Sequence, residues 1–203
     1  ASSFKEFFWT RLIAIGRDQP NGGRPPHWPN GNGIMTTDYN VIAEEYKRSK
    51  QQPWRLHIEA FTLFELIGPL AGRAVVDLAC GEGFYTRIVK QRGAERVLGV
   101  DLSERMIELA RAEEQQRPLG VDYLVQDARQ LDLAEPVDLI VAAYLLNYAS
   151  TREELRAMCR AIGRNLKPGC RFVTVNNNPT ASRADFLLSA KYGFVRTSSG
   201  DLC

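Results

Sequence analysis

The sequence is short of cysteine, of histidine, of charge of one sign and of long apolar runs, and each shortage removes a class of function. Four cysteines (Cys80, Cys159, Cys170 and Cys203) show no CxxC pair and no regular spacing. That argues against a disulfide scaffold or a zinc site, so no metal is expected, and it suits a reducing, cytoplasmic setting. Only two histidines occur, His27 and His57. Lys and Arg number 26 against 24 Asp and Glu, a net charge of +2. A nucleic-acid binder or an anionic-membrane binder would show a larger basic surplus or a clustered patch. No apolar run approaches the roughly 20 residues that a membrane helix needs. What remains is 203 residues, 44% hydrophobic and 25% charged, the mix of an ordinary globular domain able to bury its own core.

Residues 18–33 read DQPNGGRPPHWPNGNG, and eleven of these sixteen are Pro, Gly or Asn. No regular element survives such a stretch. Residues 1–34 are therefore expected to be an extension and linker outside the fold, upstream of the first Met, Met35. The domain is expected over 35–203, with lid helices over 36–70 and a core over 71–203. In the first helix Tyr39, Ile42, Ala43 and Tyr46 share a face at 3/4 spacing. Pro53 opens the second, with Leu56, Ala60, Phe64 and Ile67 on one side and Gly68-Pro69 as its stop.

An alternation follows. Strands are expected over 74–79, 96–101, 121–127, 137–144 and 170–176. Helices lie between them, from Gly83 to Arg92, from Ser103 to about Gln116, and from a capping box at Thr151–Glu154 to Lys167-Pro168-Gly169, with Leu155, Met158, Ile162 and Leu166 inward. A further helix is expected from Ser182 to about Tyr192, and Gly193-Phe194-Val195 hints at a sixth strand. Continuous apolar strands separated by helices imply an α/β fold: a three-layer Rossmann-like arrangement around a mostly parallel sheet.

In such a sheet, ligands sit at the carboxyl ends of the strands where strand order reverses. The first strand ends Asp77-Leu78-Ala79-Cys80-Gly81-Glu82-Gly83-Phe84, a turn of small residues that lets backbone approach a ligand. Eighteen residues after Gly83, Asp101 ends the second strand, where a carboxylate can accept both hydroxyls of a ribose. The third strand ends in Gln126-Asp127-Ala128, where a carboxylate or a backbone N–H can read an adenine edge. A nicotinamide dinucleotide fingerprint would need a third glycine where Thr86 stands, and Glu82 inside the turn disfavours a pyrophosphate. A ligand with ribose and adenine but no phosphate suits the loop better. Cys80 lacks an obvious His partner and reads as a small filler.

VVDLACGEGFYT, then GVDLSERMIELAR, QDA, DLIVAAYLLNY and LKPG together resemble the class I S-adenosylmethionine-dependent methyltransferases over about residues 36–178. The lead DYNVIAEEYKRSKQQPWR further resembles small-molecule methyltransferases of the toxoflavin-biosynthesis type. The resemblance implies S-adenosyl-L-methionine as cofactor and S-adenosyl-L-homocysteine as product. It places Ala79, Gly81 and Gly83 along the methionine moiety and Asp77 as the acid that orients their turn. It gives Asp101 to the ribose, Leu102 and Met106 to the neighbourhood of the adenine, and Asp127 and Ala128 to the adenine edge. Ala143 becomes a backbone contact to the methionine amino group, and Tyr39, Tyr46 and Arg55 become lid positions near the cofactor carboxylate. It also implies a seven-stranded sheet whose last pair is an antiparallel hairpin, so a domain lacking its last strands at the C-terminus is expected here.

The implied reaction is in-line methyl transfer, in which the protein acts mainly by positioning, worth about 7–11 kcal/mol of barrier. The loop after the fourth strand is Ala143-Tyr144-Leu145-Leu146-Asn147-Tyr148, not the N-P-P-Y type of base methylation. A small organic acceptor is expected, aromatic or heterocyclic in keeping with the tyrosines. The catalytic residues are not fixed by the sequence: His57, Tyr144 and Tyr148 are weak candidates, since a structural or lid-facing role accounts for His57 better than a general base does and aromatic packing explains the tyrosines nearly as well. A cofactor-binding but inactive fragment and a nicotinamide-dependent oxidoreductase stand as alternatives. Monomer and homodimer remain equally open.

Overall fold

A computed structural model describes residues 11–14, 55–176, 178 and 194–197. Contacts divide the chain into Asp38–Asn177 and a second unit, Ala1–Thr37 with Asn178–Cys203. In the second unit, β1 (Arg11–Ala14) pairs antiparallel with β7 (Phe194–Thr197). A strand therefore falls within the stretch expected to be an extension, and β7 begins one residue into the expected sixth strand. The linker, the helix expected over 36–49 with Tyr39 and Tyr46, and the helix expected over 182–192 lie outside the described residues.

In the first unit five strands form one all-parallel sheet in the order β4-β3-β2-β5-β6. These are β2 (Ala74–Leu78), β3 (Arg96–Asp101), β4 (Asp122–Val125), β5 (Val137–Ala143) and β6 (Leu166–Val175). All five residues of β2 are buried, and all of β5 but Asp138, as expected of central strands covered on both faces. Alternation along them sorts the core in two. Val75, Leu139 and Val141 pack with Leu63, Phe64 and Ile67 of α1 (Ala60–Ile67), Val89 of α2 (Phe84–Gln91) and Ile107 of α3 (Glu104–Gln116). On the opposite face Val76, Leu78, Ile140 and Ala142 pack with Met158 and Ile162 of α4 (Arg152–Asn165).

Several boundaries differ from expectation, and the larger differences have local reasons. The second lid helix starts as a wide π-type turn over Arg55–Glu59 before becoming α1, which Gly68 ends in a positive-φ conformation (69°). β4 ends at Val125 because Asp127 caps a short 3-10 turn, Ala128–Gln130, by accepting the Arg129 N–H at 2.8 Å. α4 ends at Asn165, one residue early, so Leu166, expected to point inward from the helix, opens β6 instead. The buried Asn165 amide donates to the carbonyls of Leu131 and Ala161 and accepts the Leu133 N–H, and Leu166 already pairs with Val137. A register shift between Val137 and Leu139 absorbs Lys167–Cys170 into β6.

Half of the capping box forms as expected: Thr151 Oγ1 accepts the Glu154 N–H, whereas the Glu154 carboxylate accepts the N–H of Ser150, one residue before the cap. Leu155, expected inward, is exposed. The buried stripe of α4 is Met158, Ala161, Ile162 and Asn165, which starts after that first, capping turn.

Candidate functional site

Strand order reverses between β2 and β5, since β3 and β4 extend to one side and β6 to the other. The carboxyl ends of β2 and β5 therefore face a crevice, and the chain's unusual backbone lies there. Ala79 (φ 57°), Gly81 (58°) and Gly83 (81°) after β2, and Tyr144 (67°) after β5, are all left-handed. At Gly83 the reason is space: a Cβ there would stand 2.4 Å from the Tyr123 hydroxyl oxygen. The carboxylate of Asp101, at the end of β3, reaches across and accepts the Gly81 N–H at 2.8 Å with one oxygen and the Ser103 N–H at 2.9 Å with the other. The turn and the acid are one hydrogen-bonded unit.

Asp77 works behind the turn. It is buried in β2 and accepts the Thr86 hydroxyl at 2.7 Å, tying strand end to the first turn of α2. Thr86 thus has a partner of its own at the position where a dinucleotide loop would carry glycine. Glu82 turns its buried carboxylate to Arg87 at 3.0 Å, and the same guanidinium donates to the Glu82 carbonyl at 2.8 Å. Burial pulls Arg87 down, but Glu82 outweighs it and leaves Arg87 more firmly protonated than usual. Cys80 is buried, and burial, then Asp77, Asp101 and Glu82, push its thiol well up. That is the environment of an inert thiol.

The described residues fit a nucleoside at this edge. A carboxylate has about four lone-pair positions, so Asp101 can accept hydroxyls beyond its two backbone N–H bonds. Beside it the Leu102 side chain is 70% exposed, an apolar surface next to an acceptor. Met106 is buried, its N–H taken by Ser103 Oγ in the N-cap of α3. Asp127 is otherwise engaged: the Arg129 side chain holds both its oxygens, at 3.0 and 2.9 Å from Nε, and Arg129 also reaches Glu154 at 3.1 Å. Burial raises the Asp127 carboxyl, but the bonds from Arg129 outweigh it and the net shift is downward. The Asp127 carboxylate, one of the expected adenine-edge groups, is thus already held within the chain.

The other side of the crevice is built from side chains that the sequence separates widely. Glu59, buried in the wide turn, accepts the hydroxyls of Tyr85, from α2, and of Tyr144, directly after β5. Arg55, one turn earlier and also buried, donates to Glu59 at 3.2 Å and holds its guanidinium 5.6 Å from the centre of the Tyr144 ring. Burial, then Glu59, push the Tyr85 phenol up. The Tyr144 backbone N–H is fixed to the Val175 carbonyl at 2.7 Å. Glu59 and Tyr85 went unread in the sequence. The only available signal was the 55/59 spacing of an Arg and a Glu on one helix, which also describes an ordinary surface pair.

Of the remaining candidates, Ala143 is the buried last residue of β5. His57 is exposed on the wide turn, away from the buried pair on the same turn. Tyr148 ends a short 3-10 turn, Leu146–Tyr148, and burial pushes its phenol up. Two buried amide oxygens, Asn147 Oδ1 after β5 and Asn176 Oδ1 after β6, have no hydrogen-bond partner among the described residues. No group of three His, Cys, Asp or Glu able to hold a metal occurs among the described residues. No described helix is long and apolar enough to cross a membrane.

Comparison with known proteins adds what geometry alone does not. Residues 75–169 match the family model of a methyltransferase domain. A ubiquinone biosynthesis O-methyltransferase of Stutzerimonas stutzeri is 31% identical over 127 residues, covering 61% of this chain and 53% of that protein. One from Coxiella burnetii is 33% identical over 112 residues, covering 54% and 46%. The chain thus spans about half the length of these curated relatives. Among solved structures, an S-adenosylmethionine-dependent methyltransferase of Mesorhizobium loti aligns with a TM-score of 0.52 at 32% identity, over 58% of this chain and 52% of that one. A Pyrococcus horikoshii protein aligns with a TM-score of 0.63 at 27% identity, over 78% and 68%.

Proposed function

We propose that the chain, whose residues 75–169 match the methyltransferase-domain model, is a class I S-adenosylmethionine-dependent methyltransferase that transfers a methyl group to a small organic acceptor, aromatic or heterocyclic. The observation that carries the reading is the bonded unit of Gly81 and Asp101 at the point where strand order reverses.

In this reading the left-handed turn at Ala79, Gly81 and Gly83 lets main chain run alongside the cofactor's methionine portion, with Asp77 holding the turn against α2 through Thr86. Asp101 takes the ribose hydroxyls, Leu102 and Met106 flank the adenine, and the backbone at Asp127-Ala128 reads its edge. Ala143 offers main chain to the amino group. Tyr39, Tyr46 and Arg55 are the lid positions assigned to the carboxylate. For Arg55 that assignment requires a guanidinium shared with Glu59, which it already meets. When bound, the cofactor supplies a sulfonium-activated methyl group. The chain's share is to hold the acceptor in line, exclude water and receive a proton where the acceptor must lose one.

The relatives named as ubiquinone biosynthesis O-methyltransferases support an aromatic acceptor, and the resemblance of residues 38–55 to the toxoflavin type supports a heterocyclic one. Calorimetry tests the cofactor assignment. S-adenosylhomocysteine is expected to bind the chain and to bind Asp101→Ala at least about thirtyfold more weakly, the loss of a charged hydrogen-bond acceptor. Binding of a nicotinamide dinucleotide in its place would overturn the assignment.

A further inference from the structure

We propose that Tyr123 is a positioning residue for the cofactor turn: its ring lies across Gly99 and ends under Gly83, and so sets where the main chain of residues 81–83 stands. The inference rests on the methyl-transfer reading, which runs this turn alongside the methionine portion, and adds to it a residue from β4.

The argument is one of space. Tyr123 stands opposite Gly99 in the register of β4 against β3 and is buried in the core. A Cβ at Gly99 would lie 2.7 Å from Cδ1 and 2.8 Å from Cε1 of the ring. The main chain at Gly99 is not left-handed, so no backbone angle calls for glycine there. The ring does, with Cys80 Sγ at 3.0 Å from the same point. The far end of the ring then reaches the turn after β2. A Cβ at Gly83 would lie 2.9 Å from Cε1 and closer still to the hydroxyl oxygen. Carbon atoms in ordinary contact stand about 3.5–4.0 Å apart, so two glycines on different strands make room for one ring.

The turn is thereby fixed from two directions. Asp101 accepts the Gly81 N–H at 2.8 Å, and the ring backs Gly83, whose own N–H closes on the Cys80 carbonyl at 3.0 Å. The phenol ends beside Arg87, whose Nη1 the same Cβ at Gly83 would meet at 3.0 Å. Arg87 in turn holds Glu82 of the turn by its carboxylate and its carbonyl. Tyr123 is itself anchored, since Arg111 of α3 donates to its carbonyl at 2.7 Å. In a close-packed interior a displaced ring moves what it touches, here the main chain at Gly83 and the clasp on Glu82. A misplacement of about 1 Å, even one begun far from the chemistry, can cost about a hundredfold in rate.

A residue that only filled the core would cost stability when cut back and leave the affinity of the folded chain alone. S-adenosylhomocysteine binding by calorimetry and unfolding by denaturant titration are therefore measured together. Tyr123→Leu, which withdraws the ring, and Gly99→Ala, which pushes it toward the turn, are each expected to weaken binding by the folded chain about tenfold, a coupling typical of residues in contact. The double variant is expected to bind within about threefold of Tyr123→Leu, because the added methyl no longer meets a ring. Tyr123→Phe keeps the ring and is expected to stay within about threefold of the unaltered chain. The turn is also read without cofactor, by maleimide at Cys80. Labelling in Tyr123→Leu is expected to be at least about tenfold faster than its loss of global stability accounts for, as local opening of the turn requires. Should Tyr123→Leu not fold, Gly99→Ala carries both measurements alone. Unchanged affinity in the folded variants, whatever their loss of stability, overturns the inference, as do additive losses in the double variant. If the unaltered chain binds no S-adenosylhomocysteine, the methyl-transfer reading fails, and Cys80 labelling still decides whether the ring holds the turn. If it binds and the losses are absent, only this inference falls.

Discussion

The two sides of the crevice are made in different ways. On the β3 side the contacts of Asp101 run to backbone, to the N–H groups of Gly81 and Ser103, while Asp127 holds both the N–H and the side chain of Arg129, two residues on. On the β5 side the contacts run between side chains, and Glu59 reaches 26 residues to Tyr85 and 85 residues to Tyr144. Backbone donors change little when a neighbouring side chain is replaced, so the first side can keep one ligand while the sequence drifts. Side chains can be exchanged singly, so the second side is the one more open to change.

Arg55→Met should separate the two most strongly. It leaves the Glu59 carboxylate buried against two phenols without its cation, and a loss of about 3 kcal/mol in unfolding free energy is expected in a denaturant titration. A loss below about 1 kcal/mol would mean that the cluster is not a tight buried unit. Asp101→Asn should do the reverse. Its amide must turn a donor toward one of two N–H groups, so S-adenosylhomocysteine affinity should fall by about 2 kcal/mol in calorimetry, with a smaller loss of stability.

A milder effect is expected at Asp127→Asn, about 1 kcal/mol at neutral pH for a pair that is partly exposed. The pH dependence has a definite sign. The folded-state carboxyl lies below its ordinary value of 3.8, so its contribution is complete above that value and is lost as pH falls through the lower folded one. The stability gap between the chain and Asp127→Asn should therefore narrow in urea titrations below about pH 4. The smallest effect separates surface from turn. At pH 8 a maleimide should label the exposed Cys159 and spare Cys80, whose buried thiol stays protonated, as mass spectrometry would show. Rapid labelling of Cys80 in the native chain would mean that the turn opens.

The same division governed what could be read in advance. The parallel sheet, the turn at 79–83 and Asp101 were legible because each depends on local pattern: apolar runs, small residues at a strand end, an acid at a fixed distance. The early end of α4 was not, since it depends on the Asn165 amide finding the Leu131 carbonyl 34 residues away. Asp127 was expected to end the third strand, but it lies beyond Val125 as the cap of a 3-10 turn, and its capture by Arg129 turns on a side-chain rotamer that spacing does not encode. The cluster at Glu59 was illegible for the same reason on a larger scale. A Glu in a lid segment, a Tyr after a glycine turn and a Tyr after a strand become one object only once the fold has brought them together.

The left-handed Tyr144 has a bearing on how this chain could be improved. A non-glycine residue in that conformation costs on the order of 1 kcal/mol, so glycine at 144 would relax the main chain. It would also remove the phenol. A selection for thermal tolerance alone would not favour that exchange, because the buried Glu59 carboxylate would lose a donor and Arg55 the ring that it faces. The strain at a single backbone angle is thus outweighed by the contacts of the side chain that it places, and a library screened for stability should keep its aromatic at this position.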